Sequence, residues 1–224
     1  MAAGLYFRAH YFILALPPVC LASALCFDAL RLALADRGRL AELLALAVFI
    51  AGISFTLYTR RDFFFLTAPD ALSKKLYQTN PFVESQTVAS FLRQRSGPSE
   101  RVAVFGSEAQ LYFYAQRRAA TGFIYMYGLA DNGPYSRFMQ EGMLAEVEAA
   151  APRIVVFVWI QTSWSVADPG FGAFFARIGN FLQHRYLLTG YVEIEPQGAR
   201  YHWDQDARAA FREHPNQILV YERR

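Results

Sequence analysis

The sequence has no cysteine after residue 26, because its two cysteines are Cys20 and Cys26. A disulfide framework and a cysteine-based metal site are therefore excluded from the rest of the chain. The four histidines, His10, His184, His202 and His214, lie far apart and lack the spacing of metal ligands. We expect no bound metal.

Basic runs and nucleotide-binding motifs are also missing. The net charge is only +3, and no Lys/Arg-rich run or basic helix face occurs, so a nucleic-acid partner is not expected. Neither G-x-G-x-x-G nor a P-loop is present, and no cofactor is expected. A G-x-S-x-G elbow is absent as well. No combination of residues supplies an acid, a base and a nucleophile, so we predict no catalytic residue.

Two long apolar stretches dominate what is present. Residues 11–27 and 43–58 contain no charged side chain. Spanning a bilayer takes about 20 mostly apolar residues, which residues 10–30 and 40–58 provide. The pattern predicts a transmembrane helical hairpin over residues 1–60, a juxtamembrane connector over residues 61–79 and a soluble domain over residues 80–224.

Two other interpretations of the apolar stretches stay open. The first stretch has features of a secretory signal peptide, with Ala22-Ser23-Ala24 as the cleavage site, but a second spanning-length stretch follows it at once. The pair would also fit two buried helices of a soluble protein, although uncharged runs of this length are uncommon there. Basic residues on the two sides are nearly balanced and lean slightly towards a cytoplasmic soluble domain.

The soluble domain alternates strand-like and helix-like segments. Helices are predicted at residues 84–94, 107–114, 135–150 and 171–184, and extended segments at 101–105, 119–127, 153–159, 186–195 and 217–222. This alternation predicts a layered, Rossmann-like α/β domain with a mostly parallel sheet. Residues 153–159 have no polar alternation and should form a central strand, whereas the last two strands should add an antiparallel edge.

One turn of the soluble domain is a candidate ligand site. Gly106, Ser107 and Glu108 come where the strand at 101–105 gives way to a helix. Open α/β sheets bind ligands at such turns, and a helix N-terminus favours anions. Because the glycines of the phosphate-binding motifs are absent, a tight turn with Ser107 as the helix N-cap is favoured over a ligand-facing turn.

Several segments together resemble a known family. They are residues 8–18 (Arg-Ala-His-Tyr-Phe-Ile-Leu-Ala-Leu-Pro-Pro), 80–85 (Asn-Pro-Phe-Val-Glu-Ser), 101–108 (Arg-Val-Ala-Val-Phe-Gly-Ser-Glu), 112–115 (Tyr-Phe-Tyr-Ala) and 117–118 (Arg-Arg). In this order they resemble the C-terminal end of bacterial GT-C type membrane glycosyltransferases, the family 39, protein-mannosyltransferase-like group. The resemblance covers nearly the whole chain.

The resemblance implies a bacterial inner-membrane, multi-pass protein with a periplasmic α/β domain. Its substrate would be a polyprenyl-phosphate-linked sugar. Arg8 and His10 would lie near the phosphate of the carrier lipid, although both residues are equally typical of interfacial snorkelling. Besides membrane lipid, the partners would be the remaining membrane helices of a glycosyltransferase.

The resemblance also implies that catalysis is missing from this chain. In the family, the catalytic acidic residues lie in an early extracytoplasmic loop, to which no residue here corresponds. The chain is then a fragment, a truncated product or a stand-alone relative of the C-terminal module, and should not catalyse alone. The alternatives are a stand-alone membrane-anchored binding or scaffolding module of the bacterial envelope, and a tethered enzyme with its site at residues 106–108.

Overall fold

The computed structural model describes residues 13–34, 38–131, 133–165, 171–195 and 197–224. The chain forms two compact units, residues 1–67 and residues 68–224.

The first unit contains two long apolar helices, α1 (Leu16–Leu34) and α2 (Arg39–Thr59). By length and composition, both helices qualify as membrane spans. The rings of Phe27 and Phe49 are 5.4 Å apart. Because these two residues are equally far in sequence from Gly38, the helices run antiparallel. The prediction of two long apolar helices is thus confirmed, and nearly all their side chains are exposed.

A π-helical turn at Asp62–Leu66 follows α2 and ends the first unit. Arg61 lies over the ring of Tyr58, 4.6 Å from its centroid, and donates a hydrogen bond to the Tyr58 carbonyl oxygen. The side chain of Arg61 is therefore directed back along α2.

The second unit is an α/β fold around one six-stranded sheet. Its helices are α3 (Pro69–Tyr77), α4 (Glu84–Arg95), α5 (Gln110–Ala115), α6 (Tyr127–Ala130), α7 (Ser136–Ala150), α8 (Gln161–Trp164), α9 (Phe171–Arg185) and α10 (Asp204–Ala210). Its strands are β1 (Arg101–Phe105), β2 (Arg118–Ala119), β3 (Ile154–Trp159), β4 (Tyr186–Glu195), β5 (Gly198–Trp203) and β6 (Gln217–Arg223).

The sheet is mixed, with the strand order β2-β1-β3-β6-β4-β5. Strand β1 pairs in parallel with β2 and β3, whereas β3–β6, β6–β4 and β4–β5 are antiparallel. The prediction of a mostly parallel sheet is therefore wrong. The last strand, β6, does not extend an edge; it inserts between β3 and β4, and this insertion creates two of the three antiparallel pairs.

Strand β3 lies inside the sheet, between β1 and β6, as its unbroken apolar run predicted. On one face, Val155 packs with residues of α6, α7 and α9. On the other face, Val156 and Val158 pack with residues of α4 and α5. Helices therefore cover both faces of the sheet around β1 and β3, which gives the layered α/β arrangement that was predicted.

Candidate functional site

The candidate turn lies at the carboxyl end of β1. From β1 the chain passes to β2 on one side and then crosses to β3 on the other side. Such a reversal of strand order is a topological switch point, and ligands of open α/β sheets bind in the crevice outside the strand ends there. Gly106, Ser107 and Glu108 thus occupy the position at which a ligand crevice is expected.

Glu108 is buried at this switch point, with 4% of its surface exposed. The Ser163 hydroxyl, which follows β3, donates a hydrogen bond to Glu108 Oε2 over 2.7 Å. Burial raises the pKa of the Glu108 carboxyl from its ordinary 4.5 to about 7, and hydrogen bonds to the carboxylate only partly oppose this rise. The carboxyl is therefore held in contact with the neighbouring loop and away from solvent.

Ser107 completes the connection between the two loops. Its backbone N–H donates to Ser163 Oγ over 2.9 Å, and its hydroxyl donates to the Ser163 carbonyl oxygen over 2.5 Å. The same hydroxyl accepts a hydrogen bond from the Met126 backbone N–H over 3.0 Å. Helix α5 begins later, after Ala109, and has no side-chain cap. The prediction that Ser107 caps this helix is wrong, because its hydroxyl joins three loops instead.

Gly106 is required here by its neighbours. A Cβ atom at this position would overlap the Glu108 carboxylate, and it would lie 2.8 Å from Val158 Cβ and 2.9 Å from Ser163 Oγ. The absent side chain lets the β1 and β3 loops approach each other. Gly106 therefore allows close packing between these two loops.

The sequence pattern identified Gly106, Ser107 and Glu108 but missed their contact residue, Ser163. That serine lies in the polar segment that directly follows β3, the most apolar strand. The carboxyl ends of adjacent parallel strands meet at one edge of a sheet, so a polar residue after β3 was the available signal. We refer to Gly106, Ser107, Glu108 and Ser163 as the switch-point cluster.

A second candidate location is an open groove of about 540 Å³ near the C-terminus of α4. It is lined by Arg93, Pro98, Tyr112, Phe113, Tyr114, Gln116, Arg117 and Arg118. Three of these residues are arginines, and none is acidic. We refer to it as the arginine groove.

Arg117 is the buried member of the arginine groove, with 9% of its surface exposed. It donates to Ser96 Oγ and to the carbonyl oxygens of Arg93, Ala115, Gln116 and Ser96. Its guanidinium is thus fully hydrogen-bonded to neutral acceptors. Its positive charge is not cancelled by a carboxylate in the groove lining.

Tyr112 also lines this groove and completes the hydrogen bonding of β1. Its hydroxyl accepts a hydrogen bond from the Val104 backbone N–H over 3.0 Å, at a point where the two-residue strand β2 no longer pairs with β1. Burial raises the pKa of the Tyr112 phenol. The Tyr112 side chain therefore connects α5 to β1.

The remaining sequence-predicted residues, Arg8 and His10, lie outside the described residues. Within the part of the chain that is described, no group of three His, Cys, Asp or Glu side chains is arranged to hold a metal ion.

No protein-family model matches this chain, and neither a curated protein nor a solved structure gives a significant match. The resemblance to GT-C glycosyltransferases therefore stays a prediction from the sequence motifs.

Proposed function

We propose that this chain is the membrane-anchored C-terminal part of a lipid-carrier-dependent glycosyltransferase, and that it supports sugar transfer without catalysing it. The observation that carries the proposal is the order of the two units. Two antiparallel helices of membrane-spanning length are followed directly by a separate α/β unit. This is the layout that the motif resemblance implies for the end of such an enzyme. In this proposal the helices lie in the bacterial inner membrane and the α/β unit is periplasmic.

The chemistry of the switch-point cluster supports a non-catalytic role. Sugar transfer needs a base that can reach the acceptor hydroxyl. Glu108 has the raised pKa of a useful base, but its carboxyl is buried and accepts a hydrogen bond from Ser163. The Ser107 hydroxyl is likewise engaged as both donor and acceptor. These groups hold loops together instead of facing a substrate.

The donor side of the proposal concerns the carrier lipid. Arg8 precedes α1 in sequence and is proposed to bind the phosphate of a polyprenyl-phosphate-linked sugar. Arg31, near the other end of α1, pairs with Asp28 at 3.4 Å and serves as a matched control. Purified chain in detergent should retain a radiolabelled polyprenyl-phosphate hexose, and Arg8→Ala should lose it while Arg31→Ala keeps it.

A sugar-transfer assay is the second part of this test. The purified chain should transfer no sugar from the same donor to a peptide or lipid acceptor. Asp62 follows α2, so in the proposed hairpin it lies on the same side of the membrane as Arg8. Sugar transfer that disappears in Asp62→Asn would overturn the proposal and identify Asp62 as the catalytic base. Carrier retention that is equal in Arg8→Ala and Arg31→Ala would remove the phosphate-binding role of Arg8.

A second candidate function is that of a membrane-anchored module that binds an anionic ligand. The arginine groove favours it, because three guanidinium groups share one open groove without an acidic side chain. Arg118 is exposed and Arg117 adds an uncancelled buried charge, an arrangement that attracts phosphate or carboxylate groups. The exposed ring of Phe113 offers a surface for an aromatic or sugar ring.

Titration with inorganic pyrophosphate would test this second function. Binding measured by calorimetry at low salt should weaken about tenfold in Arg118→Gln, which removes one charge-assisted contact. Arg208→Gln, on α10 and away from the groove, is the matched control. Equal binding by both variants, or none by the unmodified chain, would exclude the groove as an anion site.

A further inference from the structure

The exposed apolar side chains of the α/β unit are concentrated at one edge. Among the described residues 68–224, eleven large apolar side chains are exposed, and eight of them lie at or beside the carboxyl edge of β1 and β3. The exceptions are Phe113 and Tyr114 on α5 and Leu187 at the opposite end of the sheet.

One group of these residues belongs to the segment that leads into α4. Leu76 and Tyr77 end α3, and the Tyr77 ring lies edge-on against Phe82, with centroids 4.9 Å apart. This segment is attached to the carboxyl edge, because Thr162 Oγ1, after β3, donates to Asn80 Oδ1 over 2.5 Å.

A second group belongs to the connection from β2 to α7. It contains Ile124 and Tyr125 before α6, Tyr135 before α7, and Phe138 in the first turn of α7. Tyr135 and Phe138 are the most exposed, at 72% and 73%. The Tyr127 hydroxyl donates to the Thr162 carbonyl oxygen over 2.7 Å, so this connection also meets the loop that follows β3.

Trp159 is the last of the eight and lies at the end of β3, with 39% of its surface exposed. We refer to these eight residues as the apolar edge. Aromatic residues form most of it, and basic residues adjoin it in sequence: Lys75 before Leu76, and Arg137 before Phe138. Aromatic rings with flanking cations are the composition that favours the boundary between lipid headgroups and acyl chains.

The path of the chain favours a lipid surface as the occupant of this edge. The α/β unit begins at α3, so the chain enters it beside the apolar edge, and the two helices of membrane-spanning length come immediately before in sequence. We propose that the apolar edge rests on the lipid surface, with Tyr135 and Phe138 inserted among the headgroups. This proposal rests on the membrane anchoring in the proposed function and adds to it a defined orientation of the α/β unit.

Fluorescence quenching by nitroxide-labelled lipid tests the orientation. The full chain, with Cys20→Ser and Cys26→Ser as background, is placed in phosphatidylcholine–phosphatidylglycerol vesicles. A bimane label is attached in turn at Tyr135→Cys, Phe138→Cys and Leu187→Cys. Since interfacial side chains insert ~5–10 Å, labels at Tyr135 and Phe138 should be quenched about twofold or more, and the label at Leu187 should not.

A fourth label, at Val48→Cys in the middle of α2, separates the two proposals. Quenching at Val48 without quenching at Tyr135 and Phe138 would refute the docking of the apolar edge and leave membrane anchoring intact. No quenching at Val48 would refute the membrane anchoring itself. Equal quenching at Leu187 and Tyr135 would also overturn the proposed orientation. Tryptophan emission of each labelled variant verifies that the α/β unit is folded.

Discussion

The buried carboxyl of Glu108 should make the stability of the α/β unit depend on pH. Its pKa rises from 4.5 to about 7 on folding, chiefly because burial disfavours the charged form. The folded state therefore binds the proton more tightly than the unfolded state does. Proton binding by Glu108 therefore stabilises the folded state fully below pH 4.5, and this stabilisation is lost as the pH rises to about 7.

The size of the effect follows from the two pKa values. At ~1.4 kcal/mol for each pH unit between them, the free energy of unfolding should fall by about 3 kcal/mol across this range. Glu108→Gln keeps the shape of the side chain but removes the titration. The fall in the free energy of unfolding that Glu108 causes should therefore be absent from the variant. The variant should gain stability relative to the unmodified chain steadily between these pH values.

Tryptophan fluorescence during urea unfolding in detergent is a selective assay. The three tryptophans, Trp159, Trp164 and Trp203, all belong to the α/β unit, so the apolar helices do not contribute to the signal. Other carboxyls, such as Glu193 with its lowered pKa, titrate equally in both proteins and cancel in the difference. Parallel stability curves for the unmodified chain and Glu108→Gln would refute the reasoning.

Gly106→Ala should destabilise the α/β unit by about 1–3 kcal/mol in urea unfolding, because its Cβ would overlap the switch-point cluster. Gly179→Ala is the control: it has open space around it and should stabilise α9 by about 0.5–1 kcal/mol. Equal effects of the two substitutions would contradict the packing argument. Tyr112→Phe should lower the free energy of unfolding by about 1–3 kcal/mol, because it leaves the Val104 N–H without its acceptor. The control Tyr114→Phe should lower it by less than about 0.5 kcal/mol. An unchanged free energy of unfolding in Tyr112→Phe would show that water replaces the hydroxyl. Alkaline phosphatase fused after the last residue should be active in cells, since the proposed α/β unit is periplasmic, and fluorescence from a reporter that works only in the cytoplasm would reverse that orientation.

The local elements of this fold were readable from the sequence where apolar runs are unbroken. Residues 101–105 form β1 as predicted, and the predicted central strand appears as Ile154–Trp159. Both runs are buried on two faces, and a continuous apolar run carries that information by itself. The helix predicted over residues 171–184 is observed as α9.

The strand order could not be read in the same way. The position of β6 between β3 and β4 depends on pairing across long separations in sequence, which local patterns do not encode. Strand β5 was missed because its sequence, Gly-Ala-Arg-Tyr-His-Trp, mixes polar and aromatic residues on a half-buried edge. Residues 119–127 were expected to be extended, yet only Arg118–Ala119 pair as a strand and α6 begins at Tyr127.

The turn at residues 106–108 was predicted from the sequence, but the residues that contact it were not. The turn at residues 106–108 does lie at the switch point, because strand-to-helix turns in such sheets have few alternative places. Its partner, Ser163, is separated from Glu108 by 55 residues, and no local pattern links them. The polar residues of a turn can thus be read from the sequence, whereas the residues that form hydrogen bonds with them depend on the tertiary fold.

The brevity of β2 has a consequence for how copies of this protein meet one another. An exposed strand edge is a template on which another chain can add a strand, and aggregation follows. Beyond Ala119 the outer side of β1 would be such a template, but the Tyr112 hydroxyl occupies the Val104 N–H. At the other edge, Arg200 on β5 bridges Glu193 and Glu195, which places charges beside the strand. When this protein is concentrated outside a bilayer, association should therefore proceed through its apolar surfaces and remain reversible by detergent, without growth of intermolecular β-structure.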